Sequence, residues 1–215
     1  MQLIGMLDSP YVRRVAISLQ YLGLPFEHRA LSVFRTFDQF RQINPVVKAP
    51  TLICDDGDVL MDSTLILDYA EALAAPRSLM PAGIDERKRA LKIIGLALAA
   101  CEKSVQIVYE RELRPEEKQH APWVARVTGQ LQAAYDALES VFANSAMSPA
   151  DGIDQAGIST AVAWQFTQQM IPDVVDAAAY PALRAYSLQA EALPEFRAAA
   201  HGLGTYPLEL GASRA

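Results

Sequence analysis

The spacing of apolar residues changes character near residue 75, and that change bounds the fold. Before it, short apolar runs alternate with helical patterns. Leu3 to Leu7 reads as a strand, and Val12 to Leu22 as a helix with Val12, Val15, Ala16 and Leu19 on one face. Gly23 is placed to end that helix, and Pro25-Phe26-Glu27 leads into a second strand. A β-α-β unit implies parallel strands, because the helix carries the chain back to the same end of the sheet. A helix-capable stretch around Phe37 to Ile43 follows. Then come Thr51 to Cys54 and Val59 to Met61, separated by Asp55-Asp56-Gly57-Asp58, whose Asp-Gly pair signals a hairpin. A helix from about Ser63 to Leu73 closes this mixed-sheet unit.

Beyond Ala74-Ala75-Pro76 and Met80-Pro81-Ala82-Gly83, where the pattern breaks, the chain reads as helix. Leu91, Ile94, Leu98, Cys101, Val105 and Val108 recur at three- and four-residue spacing, the stripe of a long amphipathic helix. Pro122 can start the next helix, in which Val124, Val127, Leu131, Ala134, Leu138 and Val141 repeat that spacing. The polar Arg114-to-Ala121 segment joins them, so the two should pack antiparallel. A bundle within one chain fits better than a coiled coil, which sustains charged flanks over longer runs. Ile158 to Met170 is apolar nearly all round and is the expected central helix, with shorter helices from about Pro181 and Pro194. The expectation is an α+β two-domain protein: a mixed-sheet domain over 1–75, a linker over 76–84 and an all-helical domain over 85–215.

A chain of 215 residues holds enough core without staples. Cys54 and Cys101 are far apart, with no CxxC and no Cys/His cluster, so neither a disulfide framework nor structural zinc is expected. Both are expected to be inert and buried. His28, His120 and His201 are isolated and none has metal-ligand spacing. The net charge of −6 and the scattered Arg residues argue against nucleic-acid binding, which needs massed cations. No signal-peptide pattern and no bilayer-length apolar run is seen, so the cytoplasm is expected and a membrane is not.

Three short segments carry chemistry. Ser9-Pro10-Tyr11 lies between the first apolar run and the helix beginning at Val12. Ser is a favoured N-cap and Pro a favoured first helical residue, so the pair reads as a helix start. That same geometry aims backbone N–H groups at the hydroxyl, and a thiolate brought there would be stabilised. Lys48-Ala49-Pro50-Thr51-Leu52 puts a proline at a strand's first position. It is either an edge or turn residue, or a cis-Pro leaving the Ala49 N–H and C=O free to pair with an extended peptide. Asp62-Ser63 begins the helix after the hairpin, either as a cap or as a cradle. In the cradle, amides and the Ser hydroxyl hold a carboxylate while Asp62 holds an ammonium group.

In that order, Ser9-Pro10-Tyr11-Val12-Arg13-Arg14-Val15, Asn44-Pro45-Val46-Val47-Lys48-Ala49-Pro50-Thr51-Leu52 and Met61-Asp62-Ser63 resemble the thioredoxin-like N-terminal domain of the cytosolic glutathione S-transferases. The helical second half is similar to that family's C-terminal domain. The resemblance implies that Ser9 is catalytic, its hydroxyl hydrogen-bonding the glutathione sulfur. It implies that Ala49 pairs through its backbone with the cysteinyl part, with Pro50 as the cis-Pro. Asp62 and Ser63 would bind the γ-glutamyl ammonium and carboxylate, and Lys48, or more weakly Arg35, the glycyl carboxylate. Glutathione is then a co-substrate with no resident cofactor or metal, the second substrate a small electrophile, and the protein a homodimer.

Tyr11, Tyr109 and Trp164 are aromatic candidates for the second-substrate wall between the domains, although Tyr109 and Trp164 also read as core or interface packing. Glu110, Arg111 and Arg114 read as solvated or salt-bridged. The chain departs from the family pattern at Val47, where many members have Gly, and at Ala49, where many have Val or Ile. Before the central helix Asp154 can serve as N-cap, but Gly157 stands where the family's capping box has Asp. Ser rather than Cys at position 9 disfavours mixed-disulfide chemistry. A catalytically silent relative and a glutathione-dependent isomerase or dehalogenase are the alternative readings.

Overall fold

The computed structural model describes residues 1–145 and 147–202; the end of the expected helical domain, 203–215, lies outside the described residues. Strands β1 (Gln2–Ile4), β2 (Glu27–Arg29), β3 (Thr51–Ile53) and β4 (Val59–Met61) form one sheet in the order β2-β1-β3-β4. β1 runs parallel to β2, with Leu3 opposite His28, and antiparallel to β3, with Leu3 opposite Leu52. β3 and β4 form the antiparallel hairpin, with Leu52 opposite Leu60. The crossover between β1 and β2 is helix α1 (Pro10–Leu22); α2 (Phe37–Ile43) and α3 (Ser63–Ala74) complete a thioredoxin-like domain.

β1 is shorter than its apolar run. Gly5 adopts φ +139°, which takes Met6 and Leu7 out of the ladder, and a Cβ at Gly5 would strike Val12 and come within 3.2 Å of the Ala49 Cβ. Glycine there lets the turn into α1, the helix itself and the Ala49 segment close upon one another. Cys54 likewise leaves β3 and serves the turn: its N–H donates to Asp58 O at 2.8 Å and its C=O accepts the Gly57 N–H at 3.1 Å.

The helical half comprises α4 (Ile84–Glu112), α5 (Ala121–Ala143), α6 (Gln155–Met170), α7 (Pro181–Glu191) and α8 (Pro194–Ala198). α5 and α6 both pack along α4. α5 buries Val127, Leu131, Ala134 and Leu138 as its spacing predicts, and α6 is buried on nearly all sides. α4 differs from the expectation. Its packed face is Ala90, Ile93, Ile94, Ala97, Ala100, Cys101, Ser104 and Ile107, while Leu91 is 54% exposed. Leu98, Val105 and Val108 turn to a cavity instead. The physical reason is that α4 carries two apolar faces: one mixes Ala, Ser and Cys with Ile93, Ile94 and Ile107 and packs on α5 and α6, and the other carries Leu98, Val105 and Val108.

Polar side chains fasten α1 to the helical half. Arg13, 1% exposed, sends Nη1 and Nη2 to the two Glu191 oxygens at 2.7 Å each and donates from Nε to Ala199 O at 2.7 Å. Ser18 Oγ lies 2.9 Å from Gln155 Oε1 at the start of α6. Asp154 caps α6, accepting the Gly157 N–H at 2.8 Å. The missing reciprocal partner has a steric cause, because a Cβ on Gly157 would run into the Tyr186 hydroxyl.

Candidate functional site

A cavity of about 940 Å³ opens where the first turn of α1, the Val47–Pro50 segment and the start of α3 face α4. Ser9, Lys48, Ala49, Pro50, Asp62 and Ser63 all line it. Ser9 is the N-cap of α1 and Pro10 its first residue, so the helix dipole points at the Ser9 hydroxyl. Ser9 Oγ accepts the Val12 N–H at a long 3.5 Å, a weak bond that leaves the hydroxyl proton available to another acceptor.

The Ala49-Pro50 peptide is cis, so of the two alternatives for this proline the structure has the second. Val47 and Asp62, on either side of it in sequence, have φ of +53° and +76°. Val47 is β-branched and pays for this left-handed geometry, which the glycine common at that position would adopt freely. Backbone strain of this kind is concentrated at the cavity wall.

Asp62 caps α3, with Oδ1 accepting the Thr64 N–H at 2.9 Å, while Oδ2 lies 3.1 Å from Lys48 Nζ. Burial works to raise the Asp62 carboxyl, but the Thr64 N–H and then Lys48 outweigh it and hold the group below its ordinary value. Lys48 therefore belongs to the Asp62 end of the cavity in this structure. Ser63 is buried and its Oγ accepts from Arg14 Nη1 at 3.0 Å.

Arg14 was not singled out by the sequence reading. It is 2% exposed, reaches Thr64 Oγ1 at 3.4 Å, and its Nε has no partner among the described residues. Burial pulls its guanidinium down to about 10. A positive charge thus sits directly beneath the Asp62–Ser63 turn. Asp8, next to Ser9, is a second unforeseen group: it lines the cavity and burial raises its carboxyl.

The remaining expected residues separate. Tyr11 lines the cavity, its phenol held well above the ordinary value by burial and then by Cys101 and Glu102. Tyr109 also lines it, 45% exposed, with its ring edge-to-face against Phe34 at 5.6 Å. Trp164 does not. It is 3% exposed and packs edge-on against Tyr135 at 5.3 Å and Tyr180 at 5.8 Å, so the core reading of this residue is the right one and the pocket assignment is corrected. The reason is the all-round burial of α6 at that level; the α6 residues that reach the cavity are Phe166 and Met170. Arg35 is exposed and stands outside the lining, with its charge acting on Asp8.

Glu110 is buried and salt-bridged, accepting the His120 N–H at 2.8 Å and pairing with Arg114 Nε at 2.8 Å. Arg111 pairs with Asp173 at 2.9 Å. Both cysteines are buried free thiols, and burial pushes Cys101 up to about 12. Among the described residues no group of three or more His, Cys, Asp or Glu is arranged to hold a metal ion, and no helix is long and apolar enough to cross a membrane.

Comparison with known proteins places this geometry. Residues 3–78 match the model of the glutathione S-transferase N-terminal domain. The uncharacterized GST-like protein YibF of Escherichia coli (strain K12) is 28% identical over 163 residues, covering 76% of this chain and 80% of that protein. A glutathione transferase family member from Pseudomonas fluorescens Pf-5, crystallised with bound glutathione, is 30% identical with a TM-score of 0.80, over 92% of this chain and 97% of that one. A probable maleylacetoacetate isomerase 2 of Drosophila melanogaster is 23% identical over 202 residues, covering 86% of this chain and 81% of that protein.

Proposed function

This chain belongs to the cytosolic-type glutathione S-transferase family, and on that premise we propose that it binds glutathione in the cavity and uses Ser9 to hold the sulfur as a thiolate for attack on an electrophilic small molecule. The observation that carries this reading is convergence: a hydroxyl at a helix N-terminus, the cis Ala49-Pro50 peptide and the Asp62–Ser63 turn all line one cavity. Ala49 would pair with the cysteinyl part, and Asp62 and Ser63 would take the γ-glutamyl ammonium and carboxylate. Lys48, half exposed beside Asp62, is free to swing to the glycyl carboxylate once an ammonium group replaces it at Asp62.

A free thiol with a pKa of about 8.5 is only a few per cent ionised near neutrality. Lowering that value by ~2 makes the thiolate dominant and requires roughly 2.7 kcal/mol of differential stabilisation. A charge-assisted bond from Ser9 together with the α1 dipole supplies an amount of that order. The thiol proton passes to solvent, the sulfur lone pair forms the S–C bond, and the leaving group departs with its bonding pair. Glutathione is consumed as a co-substrate and no resident cofactor takes part.

Glutathione-dependent isomerisation is the second reading, favoured by the similarity to the Drosophila protein. It returns glutathione unconsumed, so counting thiols after turnover separates the two. A homodimer is supported by Leu65, Tyr69 and Leu73, spaced four apart on α3 and exposed by 64%, 37% and 49%. A cytoplasmic site of action accords with two unpaired cysteines. The test of the main reading is conjugation assayed with Ser9→Ala beside a glutathione co-crystal. Activity lost by about 10²-fold, with the sulfur within hydrogen-bond reach of Ser9 in the wild type, supports it. Unchanged activity removes Ser9 from the chemistry.

A further inference from the structure

The far wall of the cavity carries a charge pattern that glutathione binding does not use. We propose that this wall selects the charge of the second substrate, so that the protein accepts uncharged or cationic aromatic electrophiles and rejects those bearing a carboxylate. The inference rests on the glutathione-transfer reading and names its substrate class.

The wall is apolar in its body: Leu98, Val105 and Val108 of α4 face it, joined by Phe166 and Met170 of α6. Phe34 and Tyr109 make an aromatic corner, their rings 5.6 Å apart at 81°. An aromatic electrophile fits such a surface through area burial and edge-to-face contact. Onto this wall the fold adds three carboxylates, Asp8, Glu102 and Glu112. Two of them stand beside the two phenols. Glu102 acts electrostatically on Tyr11, and Asp8 acts on Tyr109.

Among the described residues the cations offset these carboxylates only in part, and none of them is both in the lining and unpaired. Lys48, the cation of the lining, faces Asp62 at 3.1 Å at the opposite end. Arg14 is buried beneath the Ser63 turn, its Nη1 bonded to hydroxyl oxygens, and its charge reaches the wall only through Tyr11. Arg35 is exposed outside the lining, and its charge falls on Asp8. Lys103 pairs with Glu102 Oε1 at 2.8 Å, leaving Glu102 Oε2 without a salt bridge among the described residues. Arg111 and Arg114 are held by Asp173 and Glu110.

An anionic group entering this wall loses water and meets like charge, with no unpaired cation of the lining among the described residues to replace its solvation. A neutral ring loses little. A cationic substituent gains from the carboxylates and from the faces of Tyr11, Tyr109 and Phe34. The charge preference is therefore a property of the second-substrate end alone, because the glutathione portion is common to every probe.

The test uses three S-benzylglutathiones that differ only at the para position, carrying hydrogen, carboxylate or trimethylammonium, with dissociation constants measured by calorimetry at low ionic strength. The carboxylate probe is expected to bind at least about tenfold more weakly than the unsubstituted one, and the trimethylammonium probe as tightly or more tightly. The ratio between the two charged probes is expected to shrink in the Glu102→Gln/Glu112→Gln double variant, and also when salt is raised to about 0.5 M. Both substitutions lie on exposed helix surface, so folding is retained. If the unsubstituted probe binds and the carboxylate probe binds equally well, or if the double variant leaves the ratio unaltered, the charge selection is overturned while the glutathione reading stands. If none of the three binds, the glutathione reading fails and the inference fails with it.

Discussion

Arg13 and Arg14 are adjacent in sequence and equally buried, yet their removal has opposite consequences. Arg13 is saturated: Glu191 takes it in bidentate fashion at 2.7 Å, the Ala199 carbonyl takes Nε, and Phe196 lies under the guanidinium at 5.6 Å. Replacing it by Met strands a carboxylate that is only 23% exposed and a buried carbonyl. Removing one partner of a buried pair costs about 3 to 5 kcal/mol, and the partial exposure of Glu191 places this case near the lower figure. Arg14 is bound by two hydroxyls and has an idle Nε. Its fall to about 10 corresponds to a net penalty of roughly 3 kcal/mol on the charged form, with burial outweighing the nearby groups that favour it, and hydroxyl bonds of about 1.5–3 kcal/mol each offset that penalty. Arg14→Met therefore leaves stability within about 1 kcal/mol of the wild type or raises it. It removes the group that orients the Ser63 hydroxyl and the charge beneath it, weakening glutathione binding by about tenfold, or 1.4 kcal/mol. Equilibrium urea unfolding gives the first quantity, read as a midpoint change at constant slope, and calorimetric titration with glutathione gives the second. An Arg14→Met variant as unstable as Arg13→Met, or one that binds glutathione normally, would refute this assignment of roles.

Further outcomes follow from the same geometry. Asp62→Ala loses the α3 cap, costing about 1 kcal/mol in urea unfolding near neutrality. Because the Asp62 carboxyl is held below its ordinary value, its stabilisation is present above the usual carboxylate pKa of about 3.9 and is lost as pH falls through the lowered one; the difference from wild type should shrink toward low pH. Asp8 has the opposite sign, since its raised carboxyl favours folding below the usual pKa and loses that contribution as pH rises; Asp8→Asn should raise the melting temperature at pH 7 and have little effect at pH 3. Gly157→Ala should cost about 1–3 kcal/mol through collision with the Tyr186 hydroxyl. Only part of that loss should be recovered in a Tyr186→Phe background, where Ile153 Cγ1 at 2.9 Å and the nearest ring atom at 3.2 Å still crowd the added methyl.

What the sequence reveals here is whatever is local. The β-α-β unit, the Asp-Gly hairpin, the cap at Ser9 and the Gly23 stop depend on neighbours a few residues away, and each stands where its pattern places it. The grouping of Ser9, Ala49-Pro50 and Asp62-Ser63 was legible through the family resemblance, and the antiparallel β1/β3 and β3/β4 pairings put all three at one end of the sheet. Partnership across the chain was not legible. Trp164 is settled by Tyr135 on another helix, Arg13 by Glu191 at a separation of 178 and Arg14 by Ser63 at a separation of 49, and no local pattern encodes such partners. The α4 stripe was right only at Ile94 and Cys101 for a related reason: the packed face mixes Ile with Ala, Ser and Cys, and small residues give a weak apolar signal. The resemblance implied a glycyl-carboxylate role for Lys48, and its ion pair with Asp62, fourteen positions on, was not legible from it.

The central claim is that the Ser9 hydroxyl and the α1 N-terminus hold the glutathione sulfur as a thiolate. Titrating bound glutathione by its thiolate ultraviolet absorbance, in wild type and in Ser9→Ala, measures this without reference to any second substrate. The account predicts an apparent thiol pKa near roughly 6.5 in the wild type, about 2 below that of the free thiol, and a rise of at least about 1 in the variant. Identical titrations for the two proteins, with glutathione bound in both, would contradict it.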